Sequence, residues 1–103
     1  MPEPLELQGK RVTVVGLARS GVAAARVLLE RGARVVGTDR SPAEALAGDL
    51  AGLRERGAHL ETGGHSPEHF LRADLIVVSP GVETGMPLLA QARARGVPVW
   101  GEV

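Results

Sequence analysis

The sequence predicts an α/β fold: a doubly wound, five-stranded parallel sheet of order 3-2-1-4-5 with helices on both faces, forming one domain over residues 1–103. Three observations carry that prediction. The runs "VTVV" and "LIVV" are continuously β-leaning, as expected of strands covered on both faces. The passages "ERGARVV", "ERGAHLE" and "ARGVPVW" each join a charged helix end, a glycine and a short β-leaning run. Phe70 and Trp100 are the only aromatics, so the core is expected to be Val, Leu, Ile and Ala, which suits a sheet clothed in helices.

Each element follows from those marks. Strand one is Arg11–Val15, and the first helix runs from Ser20 to Arg31 with Arg26 and Glu30 on its wet face. Strand two is Arg34–Thr38, followed by a helix over Pro42–Arg56. Strand three covers His59–Glu61, and a brief helix spans Pro67–Arg72. Strand four is Leu75–Val78, the last helix is Pro87–Arg95, and strand five is Val97–Trp100. Gly32, Gly57 and Gly96 fall just past helix C-termini, where the left-handed conformation costs glycine least. The arginine before each glycine complements the negative end of the helix dipole. Right-handed crossovers then order the strands.

Composition narrows the function classes. Formal net charge is zero and no basic tract is present, which argues against nucleic acid or an anionic membrane as partner. There is no cysteine, so disulfides and thiolate metal sites are excluded. No apolar run reaches the length of a membrane span, and "MPEPLELQGK" lacks the layout of a signal peptide, so a cytoplasmic location is the default expectation.

In such a sheet the ligand crevice lies beyond the carboxyl ends of the strands, where the order reverses between strands one and four. The loops Gly16–Gly21, Asp39–Pro42, Thr62–His65 and Ser79–Gly81 converge there. Gly16 permits a sharp exit from strand one, and Gly21 lets the first helix pack closely. The free N–H groups at that helix start favour an anion. Ala18 stands where a dinucleotide fingerprint has its middle glycine, so the loop by itself fits a dinucleotide, another phosphate or a plain turn. Asp39 ends strand two, where a carboxylate can hold a ribose or build a turn. Arg19 and Arg40 offer positive charge, Ser79 a hydroxyl, and Gly63, Gly64 and Gly81 unobstructed backbone. Pro80 forces Ser79 extended and ends strand four.

Two chemistries are set aside. "HSPEH", His65 to His69, matches an H-x-x-E-H zinc pattern, but Ser66-Pro67 reads as an N-cap followed by proline at the first helical position, leaving His65 outside the helix. No P-loop and no catalytic constellation is present in these residues. On residues alone, a domain of an NAD-dependent oxidoreductase and a nucleotide-sensing module remain open beside a substrate-binding domain.

Taken together, "VTVVGLARSGVAAARVLLERGARVVGTD", "GGHSPEHF" and "ADLIVVSPGV" resemble the N-terminal domain of the Mur ligase family over nearly the whole chain. "GLARSG" followed by "SPGV" looks like the branch that adds D-glutamate. The resemblance implies a Rossmann-like domain that holds the UDP part of UDP-N-acetylmuramoyl-L-alanine for peptidoglycan synthesis. Carried over by motif, Arg19 and Ser20 approach the uridine diphosphate, Asp39 and Arg40 flank uracil and ribose, and Ser79 and Gly81 lie near the diphosphate. ATP and Mg belong to a central domain, and a C-terminal domain helps bind the amino acid. Neither is in this chain, so the resemblance implies the first domain of a longer ligase, binding substrate and catalysing nothing alone. Titrating the protein with zinc in a calorimeter is expected to give no stoichiometric binding.

Overall fold

The computed structural model describes residues 7–80, 82 and 85–101. Strands β1 (Arg11–Val15), β2 (Arg34–Asp39), β3 (His59–Thr62), β4 (Leu75–Val78) and β5 (Val99–Trp100) form one parallel sheet in the order β3-β2-β1-β4-β5. Helix α1 (Arg19–Glu30) follows β1, α2 (Leu50–Glu55) follows β2, α3 (Pro67–Leu71) follows β3, and α4 (Pro87–Ala94) precedes β5. The doubly wound, Rossmann-like arrangement is therefore as the sequence predicts.

Strand alternation divides the core into two layers. Val12 and Val14 of β1 and Val35 of β2 turn toward Val22, Ala25 and Leu28 of α1 and Leu50 and Leu53 of α2. On the other face Val15, Ile76 and Val78 pack against Phe70 of α3 and Leu89 and Ala92 of α4. The aliphatic core expected from composition needs one correction. Phe70 is fully buried and is the largest such side chain, so a single aromatic anchors the second layer. Burying a ring of that size is worth about 2–3 kcal/mol, which helps offset the shortness of α3.

All three glycine-ended junctions close in the same way. Ala33, Ala58 and Val97 donate their N–H to Leu28, Leu53 and Ala92, five residues back, at 3.0–3.1 Å. Gly32, Gly57 and Gly96 have φ of +84°, +101° and +84° and donate to the carbonyls three residues back. This double bond pattern satisfies helix-end carbonyls while turning the chain into the next strand. The exposed Glu30–Arg56 ion pair, 3.6 Å apart, contributes little beside it.

Two predicted elements are shorter than expected. In place of one helix over Pro42–Arg56 there is a 3₁₀ turn at Ala43–Ala45, an irregular stretch, and then α2. Leu46 is extended, Gly48 sits against Val22 of α1, and Asp49 caps α2 by accepting the Gly52 N–H at 2.9 Å. A Cβ at Gly48 would lie 2.5 Å from Val22, so the chain passes too close to α1 for a helix surface there. Strand five contracts to Val99–Trp100 because the Val97 N–H closes the helix and Pro98 has none to offer a ladder.

Helix α1 approaches the end of β1 closely. A Cβ on Gly21 would stand 1.8 Å from the Gly16 carbonyl oxygen and 2.7 Å from Ser79 Oγ. Gly57, in contrast, has nothing within 4 Å of a built Cβ, and only its positive φ of +101° demands glycine. Gly57→Ala is therefore expected to cost about 1 kcal/mol, and Gly21→Ala about 3 kcal/mol or more, in urea unfolding.

Candidate functional site

The four loops at the carboxyl end of the sheet surround a cleft of about 700 Å³, within the usual range for small-molecule sites. Its walls include Gly16, Ala18, Asp39, Arg40 and Ser79 from the predicted set. They also include His65, Pro80, Val82 and Met86, which sequence reasoning did not assign. Arg19 and Ser20 stand exposed as the first residues of α1, just beyond Ala18. Gly21 is buried behind the turn, where its role is packing. Gly81 lies outside the described residues.

The first loop works residue by residue. Gly16 has φ +96° and donates its N–H to the Thr38 carbonyl at 2.8 Å, extending the β1–β2 ladder by one bond before the chain turns. Leu17 is fully buried and drops its side chain over Gly37 of β2, where a Cβ would lie 2.7 Å from Leu17 Cδ2. Gly37 thus serves a side chain from the loop, a pairing that neither segment reveals alone. Ala18 takes the N-cap position of α1 in an extended conformation and has no side chain able to cap it. The first-turn N–H groups of α1 consequently have no side-chain acceptor among the described residues, and no acidic residue stands in that turn. An uncapped helix start at the wall of a cleft is where an anion is stabilised.

Asp39 serves both sides of the turn it ends. Its Oδ2 accepts the Leu17 N–H at 2.7 Å, and its Oδ1 accepts the Ser41 N–H at 2.8 Å. Its carbonyl accepts the Gly64 N–H at 3.1 Å, while Gly63 donates to the Ser41 carbonyl at 2.9 Å. The turn-forming reading of Asp39 is therefore correct, and the same carboxylate braces the first loop. Gly63 is needed for its φ of +80°, since nothing lies within 4 Å of a built Cβ; crowding does not explain it. Ser79 is buried, and its Oγ donates to the Gly16 carbonyl at 2.9 Å. Its hydroxyl hydrogen thus joins the β1 and β4 loops, and only the oxygen lone pairs remain for a ligand.

Of the two histidines of the HSPEH stretch, His65 lines this cleft and His69 lines a different hollow with His59 and Arg11. His65 lies before α3 and His69 within it, and they turn to different partners. His65 Nδ1 is 2.7 Å from Thr38 Oγ1, whereas His69 Nε2 is 3.7 Å from Glu61 Oε1. Among the described residues no group of three His, Asp or Glu side chains is arranged to hold a metal ion. Ser66 occupies the expected N-cap position, but its hydroxyl and its N–H both go to the Glu61 carboxylate. Partial burial works to raise the Glu61 pKa, yet the two Ser66 hydrogen bonds, with His69 and His65 nearby, hold it below the ordinary glutamate value.

Comparisons with known proteins fit this architecture. Residues 10–101 match the family model for the Mur ligase MurD-like N-terminal domain. A UDP-N-acetylmuramoylalanine–D-glutamate ligase of Anaeromyxobacter dehalogenans is 56% identical over 98 residues, covering 95% of this chain and 21% of that protein. The chain thus spans about a fifth of the length of this curated relative. UDP-N-acetylmuramate–alanine ligase MurC from Thermotoga maritima superposes with a TM-score of 0.70 at 25% identity, over 89% of this chain and 20% of that one. D-lactate dehydrogenase from Escherichia coli gives 0.65 at 24% identity, over 92% and 29%, a likeness of fold alone. No helix among the described residues is long and apolar enough to cross a membrane.

Asp39→Ala strands two N–H groups and is expected to lower stability by about 1–3 kcal/mol without unfolding the domain, measured by urea titration. The depressed Glu61 pKa predicts a second effect. Its stabilisation is present above the unfolded glutamate pKa and disappears as pH falls through the folded value. Ser66→Ala should therefore be less stable than the parent at pH 7, with the gap closing below about pH 4.

Proposed function

Because the chain belongs to the Mur ligase MurD-like N-terminal domain family, we propose that it anchors the UDP end of UDP-N-acetylmuramoyl-L-alanine for a ligase that adds D-glutamate. The observation that carries this reading is the uncapped start of α1 at the wall of the switch-point cleft. Free backbone donors and the positive end of a twelve-residue helix suit a diphosphate. Gly16, Ala18, Arg19, Ser20 and Gly21 form that end of the site, Gly21 by allowing the helix its close approach. Ser79 borders the diphosphate from the β4 side, and Gly81 is assigned to the same end by its motif alone. Asp39 and Arg40 lie toward the nucleoside, as expected at the end of a second strand.

The catalytic step belongs elsewhere in the whole enzyme. ATP and Mg would be held by a central domain, where phosphorylation of the substrate carboxylate precedes attack by the amine of D-glutamate. A C-terminal domain would help bind that amino acid. This chain contributes no catalytic residue; its part is to fix the substrate's tail so that the reacting carboxylate is presented in one place. The setting proposed is the cytoplasm, in peptidoglycan synthesis supporting cell shape and division.

Titration of the labelled protein with UDP is expected to shift the amides of Gly16–Gly21, Asp39 and Arg40, with NAD producing no comparable change. Movement with NAD and none with UDP would overturn the reading in favour of a dinucleotide domain. Arg40→Ala should weaken UDP binding about tenfold, and the loss should shrink as salt is raised. Incubated with ATP, Mg, D-glutamate and UDP-N-acetylmuramoyl-L-alanine, the 103-residue chain should release no phosphate.

A further inference from the structure

His65 lines the cleft, and no part of the UDP-binding reading uses it. Its place is set by contacts from three directions. Gly63 and Gly64 donate backbone N–H groups to Ser41 and Asp39, which stitches the loop before His65 to the end of β2. Phe70, fully buried, meets the imidazole edge-on with ring centres 5.7 Å apart and planes at 87°. Thr38, also fully buried, holds the ring through Oγ1.

The Thr38 hydroxyl determines which ring nitrogen is free. Oγ1 lies 3.1 Å from the Gly64 carbonyl oxygen and 2.7 Å from His65 Nδ1. A carbonyl oxygen only accepts, so the single hydroxyl hydrogen goes to Gly64. Nδ1 must then carry a hydrogen and donate it to Oγ1. The reverse arrangement would leave the buried Thr38 oxygen and the half-buried Gly64 carbonyl oxygen facing each other at 3.1 Å without a hydrogen between them. In the neutral ring this assignment leaves the lone pair on Nε2, which has no hydrogen-bond partner among the described residues.

Sheet order locates His65 relative to the rest of the cleft. The loop after β3 adjoins the end of β2, with Asp39 and Arg40, while Ser79 and Pro80 lie across β1 on the β4 side. The uncapped start of α1 stands over β1 between them. A nucleoside diphosphate with its phosphates at the helix start would extend its nucleoside toward β2 and β3. Phosphate oxygens ionised at neutral pH have no hydrogen to give an acceptor nitrogen, whereas ribose hydroxyls and a pyrimidine imide N–H do.

We propose that His65 is a further ligand-contacting residue of this cleft, its Nε2 accepting a hydrogen bond from the nucleoside part of a bound nucleoside diphosphate. The assignment rests on the reading given under Proposed function and adds a specificity contact to it. Because Thr38, Phe70 and the two backbone bonds already fix the ring, little side-chain freedom is lost when the ligand arrives. Gln in its place reaches to about the position of Nε2 and presents an acceptor, while Leu fills the volume with none.

Affinities of UDP and of uridine for the 103-residue chain, read by amide shifts, test this with His65→Leu and His65→Gln. His65→Leu should weaken both ligands by the same factor, about three- to tenfold, and His65→Gln should keep most of the affinity. In the unaltered chain, the Nε2 nitrogen resonance should move on adding uridine alone. Unchanged uridine affinity in His65→Leu, or a loss confined to UDP, would overturn the proposal. If His65→Leu does not fold, a stationary Nε2 resonance in the parent and parental affinity in His65→Asn, whose amide mimics the Nδ1 edge, would do the same. UDP that leaves Gly16–Gly21 unmoved in the parent would overturn the proposed function itself, a distinct result.

Discussion

The carbonyl of Gly16 is where the two halves of the domain meet. It accepts the Ser79 hydroxyl from the β4 loop at 2.9 Å, and it faces Gly21 of α1 so closely that any Cβ there would overlap it. Strand β1 lies at the centre of the sheet, with β2 and β3 on one side and β4 and β5 on the other. The chain leaving β1 must therefore turn into α1 without closing the gap that opens between β1 and β4. Gly16 supplies the turn, Gly21 the clearance, and Ser79 the tie across the gap. The cleft and the aim of the helix start both depend on that contact.

A second layer of restraint comes from Asp39. Its carboxylate is shared between Leu17 on the first loop and Ser41 on its own turn, so the wall of the cleft holds its shape before any ligand arrives. Leu17 completes the brace by filling the space that Gly37 leaves on β2. A preorganised wall of this kind lowers the ordering cost of binding. The sequence presents Asp39 as either a turn former or a ligand contact. In three dimensions the bracing role is present, and contact with a ligand would use the carboxylate lone pairs that remain.

Features governed by neighbours within about five residues were legible in advance. The glycine junctions at Gly32, Gly57 and Gly96 are local hydrogen-bond geometry, so the helix ends and following strands fell within a residue or two of their predicted places. The misreadings occur where a distant segment decides. Val22 presses on Gly48 and interrupts what looks like one helix from Pro42 to Arg56. Glu61 draws Ser66 away from capping α3, although serine followed by proline reads as a cap. The sequence places His65 in a loop at the crevice and in a false zinc pattern, but does not show its pairing with Thr38, which lies 27 positions away.

By itself, then, the sequence determined the α/β class, the strand order, the family and the set of loops that form the cleft. Hydrophobic period, helix-end glycines and motif order are short-range signals, and the right-handed crossover rule converts them into topology. Only the tertiary structure decided what each polar group does. A hydroxyl or carboxylate carries no mark of its partner, and burial obliges it to find one among residues that folding brings near. For that reason Ser79 and Asp39, expected as ligand contacts, serve as braces, and His65, expected as a loop residue, pairs its ring with a threonine 27 positions away.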